Sequence, residues 1–462
     1  MPLPVDRAKT LKDAFRVCDV RPLQGADIER YYVDLSVVRS TEAIAGVSSR
    51  LDFLEPGECT TILFTGHRGC GKSTELRRIQ ANWETAYRVI YLEADKELDV
   101  NDAQYTDIYL VIIKRVAEEL RKLGLKFDPK LLSSFETWFK DVTQETEETV
   151  EKSIALEAGV EAGLEVPFLS KLLTKLLAQI RGSNKQRTLI RKTLEQDISR
   201  LKTDINLLLG NAQRQLMLYA QAMRQIKPDF PSYKGFLILF DNLDRVPPEV
   251  GRHLFIHYAS QLQDLDCTII YTAPISVVYA EQSLSNSFGS PNTIPMINIY
   301  GGDRTLCNLD YNPTGLEAVA AIIEQRVEVE QIFESREQLL ELAKASGGRV
   351  RQLMQLMNIA CVTAHSRKHA KILPEDVLYA TKQVQFDFER LVHSHHYPIL
   401  AKVCLTKQVE RDEVGQLMLF NTSVLEYNGL DRWNYINPLV MRSHAFQQAL
   451  QTLQQEASNT NA

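Results

Sequence analysis

Short, solidly apolar runs alternate along this chain with longer stretches in which apolar residues recur every three to four positions. The run 236–240, Phe-Leu-Ile-Leu-Phe, fits a strand buried on both faces of a parallel sheet. Ile62-Leu63-Phe64 and the segment 267–274 read the same way, and 87–93 supplies a further strand. Helical spacing over 106–123 and 250–265 places helices between them. Strands alternating with helices predict an α/β fold, a parallel sheet with helices on both faces. Beyond it, helical patterns at 313–329, 336–345, 350–357 and 374–385 predict a helical lid. Pro374 stands in the first turn of the last one.

Two regions exceed what one sheet needs. An insertion over about 126–228 begins with a period-two stretch at 154–167, which reads as an amphipathic strand or hairpin. It continues with Leu at helical spacing over 168–180, beside Lys171 and Lys175, and then one long charged helix over 185–225. It is either a subdomain packed on the core or on a neighbouring copy, or an element that moves to meet a partner or a membrane surface. The C-terminal part has helices at 397–405 and 411–420, then two alternating strands over 423–437 across Asn428-Gly429. Helices followed by such a hairpin suggest a winged-helix-like domain. The polar tail from Gln454 is expected to be disordered.

The chemistry lies where the first strand ends. Gly66-His67-Arg68-Gly69-Cys70-Gly71-Lys72-Ser73 is G-x-x-x-x-G-K-S, followed by Thr74 and a helix-compatible tail. Strand, glycine-rich turn and helix are the context of a phosphate-binding P-loop. Gly66, Gly69 and Gly71 let backbone N–H groups turn toward phosphate oxygens, and the helix starting near Lys72 adds the positive end of its dipole. Lys72 would reach the β- and γ-phosphates, and the Ser73 hydroxyl would ligate Mg²⁺. Asp241, where the strand 236–240 emerges, supplies the second Mg²⁺ ligand, and Asp244 could polarise water or help hold the metal. Thr272 ends the next strand, either sensing the γ-phosphate or closing a turn. Arg351 follows Ser346-Gly347-Gly348, either aimed from the lid at the γ-phosphate or lying on the surface of a capped helix.

Bulk properties narrow the picture only a little. Apolar and charged fractions of 44% and 24% are those of an ordinary soluble protein, and the net charge of -6 gives no global basic footprint for nucleic acid. Cysteines at 18, 59, 70, 267, 307, 361 and 404 show no metal-ligand rhythm, so reduced thiols in a cytoplasm are expected. No apolar run suits a membrane span and no basic, apolar leader opens the sequence. His253 and His257 lie i,i+4 without acidic partners, and the cluster His393, His395, His396 reads as a solvated connection rather than a zinc site.

Together these motifs resemble the AAA+ ATPases, in the branch of origin-recognition initiators and the related STAND-like and KAP-like bacterial P-loop ATPases. The resemblance covers about 30–125 and 232–385. It rests on Walker A at 66–73, Walker B at 237–241, a sensor-1-like Thr272, a sensor-2-like G-G-x-x-R at 347–351, and the helix opening Pro374-Glu375-Asp376-Val377. It implies ATP and Mg²⁺ as ligands, hydrolysis of ATP, adenine contact by Tyr31-Tyr32-Val33-Asp34, and a homo-oligomer sharing an arginine finger, with Arg245, Arg252 and Arg304 as candidates. Asn242 stands where many such enzymes carry a catalytic Glu, so either Asp244 is the base or turnover is slow. The division expected is an extension at 1–30, an ATPase core at 31–300, a lid at 301–386, the winged-helix-like domain at 387–450 and the tail at 451–462.

Two functions follow. One is an ATP-driven oligomeric switch that recruits a protein effector, in a bacterial antiviral defence or signalling system. The other is a DNA-associated loader or remodeller using the winged helix, with Arg432 beside Trp433 as the best DNA contact. Residues 387–450 carry six basic side chains (Arg390, Lys402, Lys407, Arg411, Arg432, Arg442). They also carry seven acidic ones (Asp387, Glu389, Glu410, Asp412, Glu413, Glu426, Asp431). A phosphate-binding surface needs a basic excess, so protein docking is favoured over DNA.

Overall fold

A computed structural model describes residues 7–143, 168–182 and 184–460. The period-two segment 154–167 lies outside the described residues. Five parallel strands, β1 (Thr61–Gly66), β2 (Arg88–Glu93), β3 (Phe236–Asp241), β4 (Thr268–Pro274) and β5 (Asn292–Ile294), stand in the order β2-β3-β4-β1-β5. Register pairs Phe64 with Thr272, Phe240 with Tyr271 and Glu93 with Asp241, so the P-loop, Asp241 and Thr272 share one carboxyl edge.

Alternation along each strand builds two cores. Leu237, Leu239, Ile62, Phe64 and Ile270 face the P-loop helix (Lys72–Trp83), the lid and the C-terminal part. Phe236, Ile238, Phe240, Leu63, Ile269 and Tyr271 face the helix Tyr105–Lys122 and the insertion. The insertion helices Phe168–Gly182 and Ile198–Ile226 bury Leu172, Leu173, Leu176, Leu208 and Leu209 in that second core. Packing on the core is thus the observed arrangement of the described part of the insertion. The long helix expected over 185–225 is two helices, Asn184–Gln196 and Ile198–Ile226, interrupted at Asp197. Asp competes for backbone groups in a helix interior and favours such ends.

The lid comprises Pro313–Glu324, Arg336–Ser346, Val350–Ser366 and Pro374–Leu391. Its first helix is shorter than the 313–329 pattern. The C-terminal part has helices Tyr397–Thr406 and Glu413–Phe420, then an antiparallel pair, β6 (Val424–Tyr427) and β7 (Trp433–Ile436). Tyr427 pairs with Trp433, leaving a five-residue loop at 428–432 instead of a tight Asn-Gly turn. Neither Asn428 nor Gly429 takes the positive φ that a type I′ turn requires.

All eight strand residues of the hairpin are buried, six of them in the same core as the lid and the P-loop helix, while the loop 429–432 between the strands is exposed. Two expectations are corrected. The tail is not irregular: a helix runs from His444 to Thr460, anchored by buried Phe446 and Leu450. Cys307 and Cys404 form a disulfide between the segment before the lid and the helix Tyr397–Thr406. The fold brings these two together across 97 residues, which no sequence spacing signals. Among the described residues no helix is long and apolar enough to cross a membrane.

Candidate nucleotide site

The P-loop, the turn after β3 and the lid meet around one cavity of about 920 Å³ including its open mouth, with Asp241 at the end of β3 behind its lining. Arg68, Gly69, Cys70, Gly71, Lys72, Ser73 and Thr74 line it, together with Asn242, Asp244, Arg245 and Arg351. Tyr31, Tyr32 and Val33 close another side with Leu35, Ile322, Val350 and Met354. Seven basic side chains (Arg21, Arg39, Arg68, Lys72, Arg245, Arg326, Arg351) face three carboxylates (Asp19, Glu75, Asp244). A surplus of cation beside an apolar end suits a polyanion with an apolar head.

Lys72 is 4% exposed, and its Nζ donates to the carbonyls of Gly66 (2.7 Å) and His67 (2.8 Å) and pairs with Asp244 Oδ2 at 2.9 Å. Burial opposes its charge, but Asp244, Cys70 and Asp241 outweigh burial and hold its pKa above the ordinary lysine value. Asp241 accepts from Tyr91 Oη at 2.6 Å and from the Asn242 N–H at 2.8 Å, and shares a hydrogen bond with Ser73. Burial first, and Asp244 second, raise its pKa. The Ser73 hydroxyl and the Asp241 carboxylate are hard oxygen donors side by side, the set Mg²⁺ takes together with nucleotide oxygens and water. Thr272 does not line the cavity. Its fully buried hydroxyl donates to Phe240 O (3.2 Å) and accepts from the Asp244 N–H (3.4 Å), fixing the turn that carries Asp244.

The lid touches the loop directly. The Arg351 N–H donates to Gly69 O at 3.0 Å, and Arg349 Nε donates to Arg68 O at 2.8 Å. Gly69 has φ +85°, and a Cβ there would sit 2.5 Å from that of Arg351, so only glycine admits this approach. Burial, then the neighbouring cations Arg245 and Arg68, lower the pKa of Arg351.

His67 proves to be a bridge. It is fully buried, its Nδ1 donates to Leu419 O (3.2 Å) and its Nε2 accepts from the Glu426 N–H (2.8 Å). Burial, with Lys72 and Arg349 nearby, pushes its pKa down to about 3, so the ring is neutral as this bonding requires. Arg68 lies over the Phe420 ring, and Tyr427 Oη donates to Gly347 O at 2.7 Å. The hairpin thereby joins the P-loop to the lid. Arg432 pairs with buried Glu426 at 3.4 Å and stacks on Tyr279.

Of the three finger candidates, Arg245 faces the cavity of its own chain, Arg252 pairs with Glu413 at 3.2 Å, and Arg304 stacks on Trp433. His253 and His257 join no metal cluster, and none of three or more such ligands occurs among the described residues. Sequence reasoning missed Arg39, whose guanidinium is buried against Cys70 O and Glu75, as well as Tyr91 and Asp95. Only Tyr91 carried a signal, two positions before the carboxyl end of a predicted strand.

No protein-family model and no curated protein matches the chain. Among solved structures, Cdc6p from Pyrobaculum aerophilum aligns at 13% identity, over 91% of this chain and 99% of its own, with TM-score 0.34. The ORC2 protein of Aeropyrum pernix aligns at 13%, over 96% and 98%, with TM-score 0.38. A Walker-type ATPase of Pyrococcus abyssi aligns at 13%, over 94% and 99%, with TM-score 0.41. At these scores the likeness carries no inference about chemistry, which the cavity's own residues must supply.

Proposed function

We propose that this chain binds ATP with Mg²⁺ and hydrolyses it, as a switch whose C-terminal part answers the state of the P-loop. The observation that carries this reading is the meeting of Lys72, Asp244 and Arg351, from three distant stretches, in one cavity with a cationic surplus. Backbone N–H groups of the P-loop and Lys72 take the phosphates. Ser73 and Asp241 would hold Mg²⁺, which supplies charge neutralisation between the phosphates when bound. Once Lys72 turns to phosphate, Asp244 is released to orient and deprotonate the attacking water, with Thr272 fixing its backbone and Arg351 closing from the lid.

The response leaves through His67, because any shift of the P-loop strains its bonds to Leu419 and Glu426. A protein effector meeting a homo-oligomer fits this better than DNA, since residues 387–450 carry no basic excess and Arg432 is engaged with Glu426. The bacterial antiviral defence setting rests on the sequence resemblance alone. Hydrolysis should be measured against protein concentration, with and without duplex DNA, using Lys72→Ala as the blank. Turnover per chain that rises with concentration supports a site shared between copies, and stimulation by DNA would turn the reading toward a loader. Absence of ATP binding would end it.

A further inference from the structure

The turn that carries Asp244 is braced from outside by a residue no motif contains. Asp95 lies in the short helix Ala94–Glu97 that follows β2 directly. One of its oxygens accepts from Asn242 Nδ2 at 2.6 Å and the other from Arg245 Nη1 at 2.7 Å. A single carboxylate thus grips both residues flanking Leu243-Asp244. Arg245 itself lines the cavity with Lys72 and Arg351. Its ion pair is about a third exposed on each side, so it can exchange partners without stranding a buried charge.

The segment carrying Asp95 is in turn clasped by the insertion. Arg181 Nη1 donates to Lys96 O at 2.6 Å, and Arg187 reaches Asp99 (3.2 Å) and Asp102 (2.7 Å). Arg191, 5% exposed, pairs with Asp102 (2.7 Å) and with buried Asp107. Arg181 thus holds the residue next to Asp95, and Arg187 and Arg191 tie down the stretch 99–107 that follows it.

We infer that Asp95 is the internal counter-ion a triphosphate must displace from Arg245, and that the insertion tunes nucleotide affinity by holding Asp95 in place. The inference rests on the cavity taking a nucleotide polyphosphate. A phosphate chain carries more charge than one carboxylate and offers Arg245 a bidentate partner, so the exchange favours the nucleotide, against the pull of Asp95. Asp95 then keeps only Asn242, and the turn holding Asp244 is freed at one end.

The test is calorimetric titration of the full chain with ATP. Asp95→Asn keeps the acceptor for Asn242 but removes the competing charge, so ATP should bind about 5- to 10-fold more tightly. Arg245→Gln should weaken binding by a similar factor, and adding Asp95→Asn to it should change nothing further. Asp95→Glu should restore affinity close to wild type. Arg181→Ala, exposed and outside the cavity, should tighten binding two- to three-fold, roughly, and only while Asp95 is present. An unchanged affinity in Asp95→Asn, or an equal effect of that change with and without Arg245, overturns the inference while leaving the nucleotide reading intact. A wild-type chain that binds no ATP removes both. Matching circular dichroism and melting curves show that each variant is folded.

Discussion

Replacing His67 with glutamine should make the protein less sensitive to acid. In the folded chain the imidazole is neutral, its pKa pushed down to about 3 from 6.5 by burial and the nearby Lys72 and Arg349. The unfolded chain takes up a proton on this ring below pH 6.5, whereas the folded chain does not. Stability is therefore complete above pH 6.5, falls as pH drops through the interval, and levels off only near pH 3. At about 1.4 kcal/mol per unit, a solution at pH 5 has lost about 2 kcal/mol through this one residue. Glutamine can still donate to Leu419 O and accept from the Glu426 N–H, but it does not titrate. Urea unfolding followed by circular dichroism at pH 7 and pH 5 should show the variant losing about 2 kcal/mol less than wild type between the two conditions. Every other titrating group is common to both proteins, so the difference isolates His67. Equal losses would refute the neutral bridge. His67→Ala, which leaves the buried Glu426 N–H unpaired, should instead cost about 1–3 kcal/mol at either pH.

Lys72→Ala should abolish detectable ATP binding and turnover, read by calorimetry and phosphate release. Asp244→Ala should lower turnover by about 100-fold while tightening ATP binding by about 3-fold, because Lys72 loses its in-chain partner; retained turnover would show that Asp244 is not the base. Tyr91→Phe removes the hydroxyl held to Asp241 at 2.6 Å and should raise the Mg²⁺ concentration for half-maximal nucleotide binding about 10-fold, at constant ATP affinity without metal. Gly69→Ala should destabilise the chain by about 1–3 kcal/mol in urea unfolding, since its Cβ meets that of Arg351 and its φ is positive.

What could be read in advance was local. G-x-x-x-x-G-K-S sets its own backbone, and five consecutive apolar residues before Asp241 admit little but a buried strand. Residues 31–33 and Arg351 reach the same cavity as the P-loop, although nothing along the chain shows how far the lid closes. Contacts that depend on strand order stayed hidden. Tyr91 meets Asp241 only because β2 and β3 are neighbours, and Asp95 meets Arg245 only because the helix after β2 returns over that edge. By position Thr272 could sense phosphate or close a turn, and the bonds of its hydroxyl to Phe240 and Asp244 follow the second pattern. The hairpin's strands were legible from alternation, whereas burial of both faces was not: polar Glu426 and Asn434 bond to Tyr279 inside the protein.

The dependence of the P-loop on the hairpin bears on how the chain is made. During synthesis residues 66–74 leave the ribosome early, followed by several hundred more before Leu419 and Glu426 appear. Until then His67 has neither of its partners, and Met296, Tyr300 and Gly347 lack the surface against which they pack or bond. A chain cut short after the lid therefore exposes this aromatic seam and leaves its P-loop unbraced. A stretch translated later thus braces one made before it, and a product cut between them is marked for chaperones and proteases by its own exposed core.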